Sequence, residues 1–178
     1  MNYRKNNLII FLYCFLLIAV FLNRFNEIFR FLIYSILIFP VFVSSYEKIG
    51  LKNFRIGLLL GCISSLIFVP FILNKFLIKD LLKLPYVFIE ELFFRGYLMD
   101  EMQKKDFHIT NLIVSFLFAI PHLVKDFSLL SFLTFFPSLI FGYLYYYSGS
   151  LLSPTIFHWS SNLFFQYNTE LFHIVIDI

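Results

Sequence analysis

The most constraining feature of this chain is a succession of long apolar runs, at residues 8–22, 28–46, 56–73 and 127–147. In hydrocarbon every backbone N–H and C=O needs an internal partner, so only helices and closed barrels cross a bilayer. These runs are continuous rather than alternating, which excludes a barrel and predicts an all-α, polytopic transmembrane helix bundle. The charged fraction of 14% lies well below the roughly 25% of a soluble domain. The 178 residues suit a single membrane domain, 1–178, with three N-terminal spans in 8–73 and motif-bearing core helices in 86–167.

Arg4 and Lys5 before the run 8–22 imitate a signal peptide, but no small-x-small cleavage site follows, and we read a retained first helix. Pro40 predicts a kink in the second span. Gly57 and Gly61 have the spacing that lets membrane helices approach closely. Residues 74–84 read as a short interfacial helix, and Pro85 starts the next one in its first turn. Further helices are expected over 86–99, over 112–124 with Thr110 or Asn111 as its cap, and over 151–166, followed by an apolar tail at 171–178. That makes six or seven membrane helices. Cys14 and Cys62 lack metal-type spacing and read as small buried hydrophobes. Lys and Arg sit in short clusters between spans, suited to lipid headgroups, and no basic stripe points to nucleic acid. Seven basic residues on one side against six on the other leave the orientation open.

Three polar constellations interrupt the apolar pattern. The first, Phe88-Ile-Glu-Glu-Leu-Phe-Phe-Arg-Gly-Tyr97, puts Glu90, Glu91 and Arg95 on an otherwise apolar helix. Ionisable residues at membrane depth are rare and mark function. Glu91 and Arg95 are four apart and pair on one face, whereas Glu90 points about 100° away and is left free for chemistry. The second is Phe118-Ala-Ile-Pro-His122, where Pro121 bends the helix and frees a carbonyl near His122. The third is His158-Trp-Ser-Ser-Asn162, whose His and Asn share a face. A carboxylate, two imidazoles and an amide on separate helices can activate water and stabilise an oxyanion. They would equally suit a metal with an open position. His108 and His173 read as loop and tail residues, and Ser160 and Ser161 lack the partners of a serine nucleophile.

Glu90-Glu91-x-x-x-Arg95, Phe118-x-x-x-His122 and His158-x-x-x-Asn162, in that order and on helices, resemble the CAAX protease and bacteriocin-processing family, the type II CAAX prenyl endopeptidase group. The turn Ser148-Gly-Ser-Leu-Leu-Ser-Pro154 adds to the resemblance, which covers about residues 86 to 165. It implies an intramembrane endopeptidase. Glu90 and His122 would activate water, His158 and Asn162 would stabilise the oxyanion, and Glu91, Arg95 and Phe118 would support the site. The family leaves open a metal-free glutamate mechanism and a divalent metal such as zinc on Glu90, His122 and His158. With no His-Glu-x-x-His pattern present, we favour the metal-free form. The expected partners are membrane lipids and a peptide or membrane-protein substrate, and the expected location is a bacterial cell membrane. The competing reading is a non-catalytic protein of the same fold that gives immunity to a peptide by binding it. A proton or solute transporter is a third, lacking the internal repeat or broken-helix pair of many transporters.

Overall fold

A computed structural model describes residues 3–102 and 106–168, with side chains from residue 7 onward. The tail 171–178, His173, Arg4, Lys5, Lys104 and Lys105 lie outside the described residues or side chains. Among the described residues there are seven helices and no strand. They are α1 (Tyr3–Asn23), α2 (Phe29–Val43), α3 (Phe54–Ile72), α4 (84–102), α5 (Phe107–Lys125), α6 (Leu129–Ser148) and α7 (Leu152–Tyr167). The bundle is polytopic and all-helical. Helices α3, α5 and α6 are long and apolar enough to cross a membrane; the apolar stretches of α1 and α2 are shorter.

Helix α4 packs against α2, α5 and α7, and the helices α2, α1, α5, α6, α7 and α3 pack one on the next in that order. Every residue from Leu92 to Met99 is buried, the charged Arg95 included. This stretch is a π-helix, a form concentrated at functional sites. Outward faces carry exposed side chains such as Phe11, Phe31, Leu58, Ile63, Phe116 and Phe136. Cys14 and Cys62 are also exposed, contrary to the expectation of burial.

In lipid, apolar burial does not by itself bring helices together, so close approach and polar bonds must. Gly57 and Gly61 face the start of α7: a Cβ at Gly57 would lie 2.5 Å from Ser150 Oγ, and one at Gly61 would lie 3.1 Å from the Ser153 carbonyl. Gly142 of α6 does the same for α5, where Asn111 reaches across and donates to the Leu139 carbonyl at 3.0 Å.

Prolines punctuate the helices where their missing N–H demands. α2 is broken at Phe39, immediately before Pro40. α6 has an offset at Thr134, three residues before Pro137. Pro85 sits in the first turn of α4 as expected. Helix α5 starts earlier than expected: Asp106, not Thr110 or Asn111, caps it, accepting from His108 N at 2.8 Å and Ile109 N at 3.3 Å. His108 is therefore in a first helical turn rather than a loop, with Nδ1 2.9 Å from Tyr143 Oη.

The interfacial segment shortens to a 3-10 turn, Ile78–Lys83. Its Asp80 is fully buried because it is the polar anchor of this strap. It accepts from Leu77 N at 3.0 Å, Lys83 Nζ at 2.7 Å and the Tyr167 hydroxyl, while its own carbonyl accepts from Trp159 Nε1 at 2.9 Å. Desolvation pushes the carboxyl up, but the bonds from Lys83, Tyr167 and Leu77 outweigh it and hold it down at about 2. A lowered folded value means a contribution complete above about pH 4 and lost as the pH falls toward 2. Asp80→Asn should therefore melt at a lower temperature than the wild type in detergent at pH 7. The gap should narrow as the pH is taken from 4 to 2; equal melting at pH 7 would remove this strap from the list of stabilising contacts.

Candidate active site

The site is built outward from α4. Glu91 and Arg95 pair across one turn, with Nη1 3.2 Å from Oε2 and 3.3 Å from Oε1, and both side chains have 0% exposure. Such a pair is tolerable in hydrocarbon only with further partners. Arg95 finds them on α6: Nη2 donates to the Ser138 carbonyl at 2.9 Å and to the Ser138 hydroxyl. Its guanidinium also lies 4.7 Å from the centre of the Phe118 ring and 5.2 Å from that of Phe141.

Glu91 also holds His158 of α7, whose Nδ1 is 2.7 Å from Glu91 Oε1. A carboxylate only accepts, so Nδ1 carries the proton and Nε2 faces the other way. The Phe141 ring stacks on this imidazole with centroids 4.5 Å apart. Nε2 lies 3.9 Å from Glu90 Oε2, and the Glu90 side chain retains 32% exposure. The two adjacent acids thus occupy different surroundings: one is sealed in an ion pair, the other opens onto a cavity.

That cavity, of about 290 Å³, lies between α1, α2, α4 and α5. Glu90 and His122 both line it, together with Asn23, Arg30, Tyr34 and Lys125 near its polar end. Pro121 is part of the α5 helix, and the carbonyl its missing N–H leaves free, that of Leu117, accepts from Tyr13 Oη at 2.8 Å. The carbonyl freed one turn before Pro121 is therefore held by a hydroxyl from α1. A second, mostly apolar cavity of about 480 Å³ is lined by His122, His158 and Asn162, with Leu130, Leu133 and Phe165 among its walls. Phe118 and His122 border both cavities.

The structure thus brings Glu90, Glu91, Arg95, Phe118 and His158 into one contact network. It sets His122 beside Phe118, ring centres 5.1 Å apart, and leaves Asn162 exposed on the second cavity. Ser161 Oγ donates to the His158 carbonyl at 2.8 Å, a local helix bond, and Ser160 is buried. Sequence reading missed Ser138, Phe141 and Tyr13. Pro121 did signal that a carbonyl would be freed, but not which donor would take it.

Glu90, His122 and His158 are the side chains to which the resemblance would assign a metal. Among the described residues no three His, Cys, Asp or Glu side chains cluster as a metal site.

Residues 81–164 match a family model, Type II CAAX prenyl endopeptidase Rce1-like. This is the family group that the three motifs resemble, and the matched segment contains all seven motif residues. No curated protein and no solved structure matches the chain. The matched family is an endopeptidase family, and the apolar helices make the chain an integral membrane protein.

Arg95→Met should leave a buried carboxylate with half its compensation, a loss of about 3–5 kcal/mol of stability. Adding Glu91→Gln should recover part of that loss. Denaturation in detergent reads both variants, and full stability of Arg95→Met alone would contradict the burial of this pair.

Proposed function

We propose that this chain, an integral membrane protein whose motif-bearing half matches the type II CAAX prenyl endopeptidases, hydrolyses peptide bonds at membrane depth. The observation that carries the reading is the pair Glu90 and His158, 3.9 Å apart at the edge of a cavity, with His158 oriented from behind by a sealed carboxylate. A water in the first cavity would lie between Glu90 and His122. Glu90 takes its proton as general base while His122 orients it, and the hydroxide adds to the peptide carbonyl. The oxyanion that forms is met by His158 and the Asn162 amide. With Nδ1–H committed to Glu91, His158 donates from Nε2 as an imidazolium, whose charge Glu91 compensates. The proton on Glu90 passes to the leaving amine, and the acid returns to its starting state.

The substrate is a peptide or membrane-protein segment supplied from the lipid phase, the enclosing membrane is a bacterial cell membrane, and no step needs a metal ligand set. The mostly apolar walls of the second cavity support a substrate with apolar side chains. Purified protein in detergent should cleave such peptides, and Glu90→Gln should cut kcat by roughly 100- to 10,000-fold, the usual contribution of a general base. Because Glu90 makes no close hydrogen bond to His158, the variant should melt within a few degrees of the wild type. Undiminished cleavage by folded Glu90→Gln would end this mechanism.

A further inference from the structure

We infer that Ser138, outside all three motifs, is a positioning residue that sets the His158 ring through Arg95 and Glu91; the inference rests on the hydrolase reading for its effect on rate. Other serines in this bundle turn their hydroxyls back onto their own helix. Ser35 donates to the Phe31 carbonyl at 2.8 Å, Ser64 to that of Leu60 at 2.7 Å and Ser148 to that of Leu144 at 2.6 Å. This local bond is the ordinary fate of a helical serine. Ser138 departs from it. It is fully buried, and both its hydroxyl and its carbonyl oxygen accept from Arg95 Nη2, on a helix 43 residues away in sequence.

The consequence runs through three bonds. Arg95 held only by Glu91 could swing together with it, since both belong to α4 and face each other across a single turn. Two acceptors on α6 fix the guanidinium against a second helix, and the rings of Phe118 and Phe141 confine it further. With Arg95 fixed, Glu91 Oε1 is fixed at 2.7 Å from His158 Nδ1. The imidazole then has one orientation, Nδ1–H toward Glu91 and Nε2 toward Glu90. Charge-assisted bonds of this kind are short and directional, and a network of them positions a ring more firmly than any single member. Ser138 touches neither Glu90 nor His158, so its influence is transmitted rather than direct.

Ser138→Ala removes the hydroxyl and keeps the carbonyl bond, so folding is expected to survive; Ser138→Thr keeps the hydroxyl. Proton–nitrogen spectra of histidine-labelled protein in micelles would read the His158 Nδ1–H signal, identified by its loss in His158→Gln. In Ser138→Ala that signal should shift or broaden, and kcat on a cleaved peptide should fall about tenfold with KM within about twofold, the scale of one lost hydrogen bond to a charged group. Ser138→Thr should restore both. A folded Ser138→Ala with wild-type kcat, or with an unmoved ring signal, overturns the inference. Should the wild type cleave no peptide at all, the hydrolase reading fails by itself, and the ring signal alone decides whether Ser138 positions His158.

Discussion

A carboxylate and a guanidinium with no exposure to solvent, one turn apart on α4, are the constraint that the rest of this bundle answers to. Removing either charge from water is costly by several kcal/mol, and their mutual attraction repays that only when the remaining bonding capacity is also met. Glu91 and Arg95 meet part of it with groups from two further helices, His158 of α7 and Ser138 of α6, while Arg95 Nε keeps no hydrogen-bond partner among the described residues. The requirement to satisfy the pair therefore fixes where α6 and α7 stand relative to α4. The π-helical stretch that begins at Leu92 lies immediately after Glu91 and includes Arg95.

Elsewhere the bundle is held by devices that suit a lipid solvent. Glycines at 57, 61 and 142 let side chains or backbone of a neighbouring helix occupy the space a Cβ would take. Single polar bonds then fasten elements that apolar packing would leave free to slide: Asn111 to the Leu139 carbonyl, Tyr13 to the Leu117 carbonyl, Asp80 to Tyr167. The first two each satisfy a side-chain group that would otherwise be orphaned in a low-dielectric interior, so each of those bonds is costly to lose. The Tyr13 bond is the clearest case, because proline chemistry at position 121 creates the acceptor and a different helix supplies the donor.

Much of this was legible in the residues alone. Continuous apolar runs define helices, and a period of four places Glu91 over Arg95 and leaves Glu90 on another face; both follow from local geometry. The Gly57 and Gly61 spacing likewise pointed to a close helix contact, which is made with the start of α7. What local geometry cannot supply is which distant atom completes a bond. Ser138 is one small polar residue in an apolar helix, and its sequence neighbourhood resembles that of Ser35, yet one serves its own helix and the other crosses to Arg95. Asp106, Thr110 and Asn111 are all competent capping residues, and the helix extends back to the earliest of them, where its first turn packs on α6 through Phe107 and Tyr146, ring centres 4.0 Å apart, and through His108 and Tyr143. The alternation of charged and apolar residues around Asp80 reads as an interfacial helix and gives no sign of its burial, which comes with partners about eighty to ninety residues on, Trp159 and Tyr167.

The matched segment, 81–164, holds the motif side chains and nearly all of the second cavity's lining, whereas about half of the first cavity's wall comes from outside it. Leu16 and Val20 of α1 and Ile33, Tyr34 and Leu37 of α2 wall the cavity onto which Glu90 opens, and Tyr34 stacks on Tyr86 at the entrance to α4, ring centres 4.9 Å apart. α3 in turn receives the start of α7 through its glycines, and so sets the height at which His158 meets Glu91. A carboxylate next to a sealed ion pair has no reactivity of its own; it needs a space of limited size that admits water and excludes lipid. The first two helices build that space, and the third fixes the depth of the helix bearing the imidazole. The generic appearance of these N-terminal helices follows from this division of labour, since walls and spacers demand volume and close approach rather than particular chemistry.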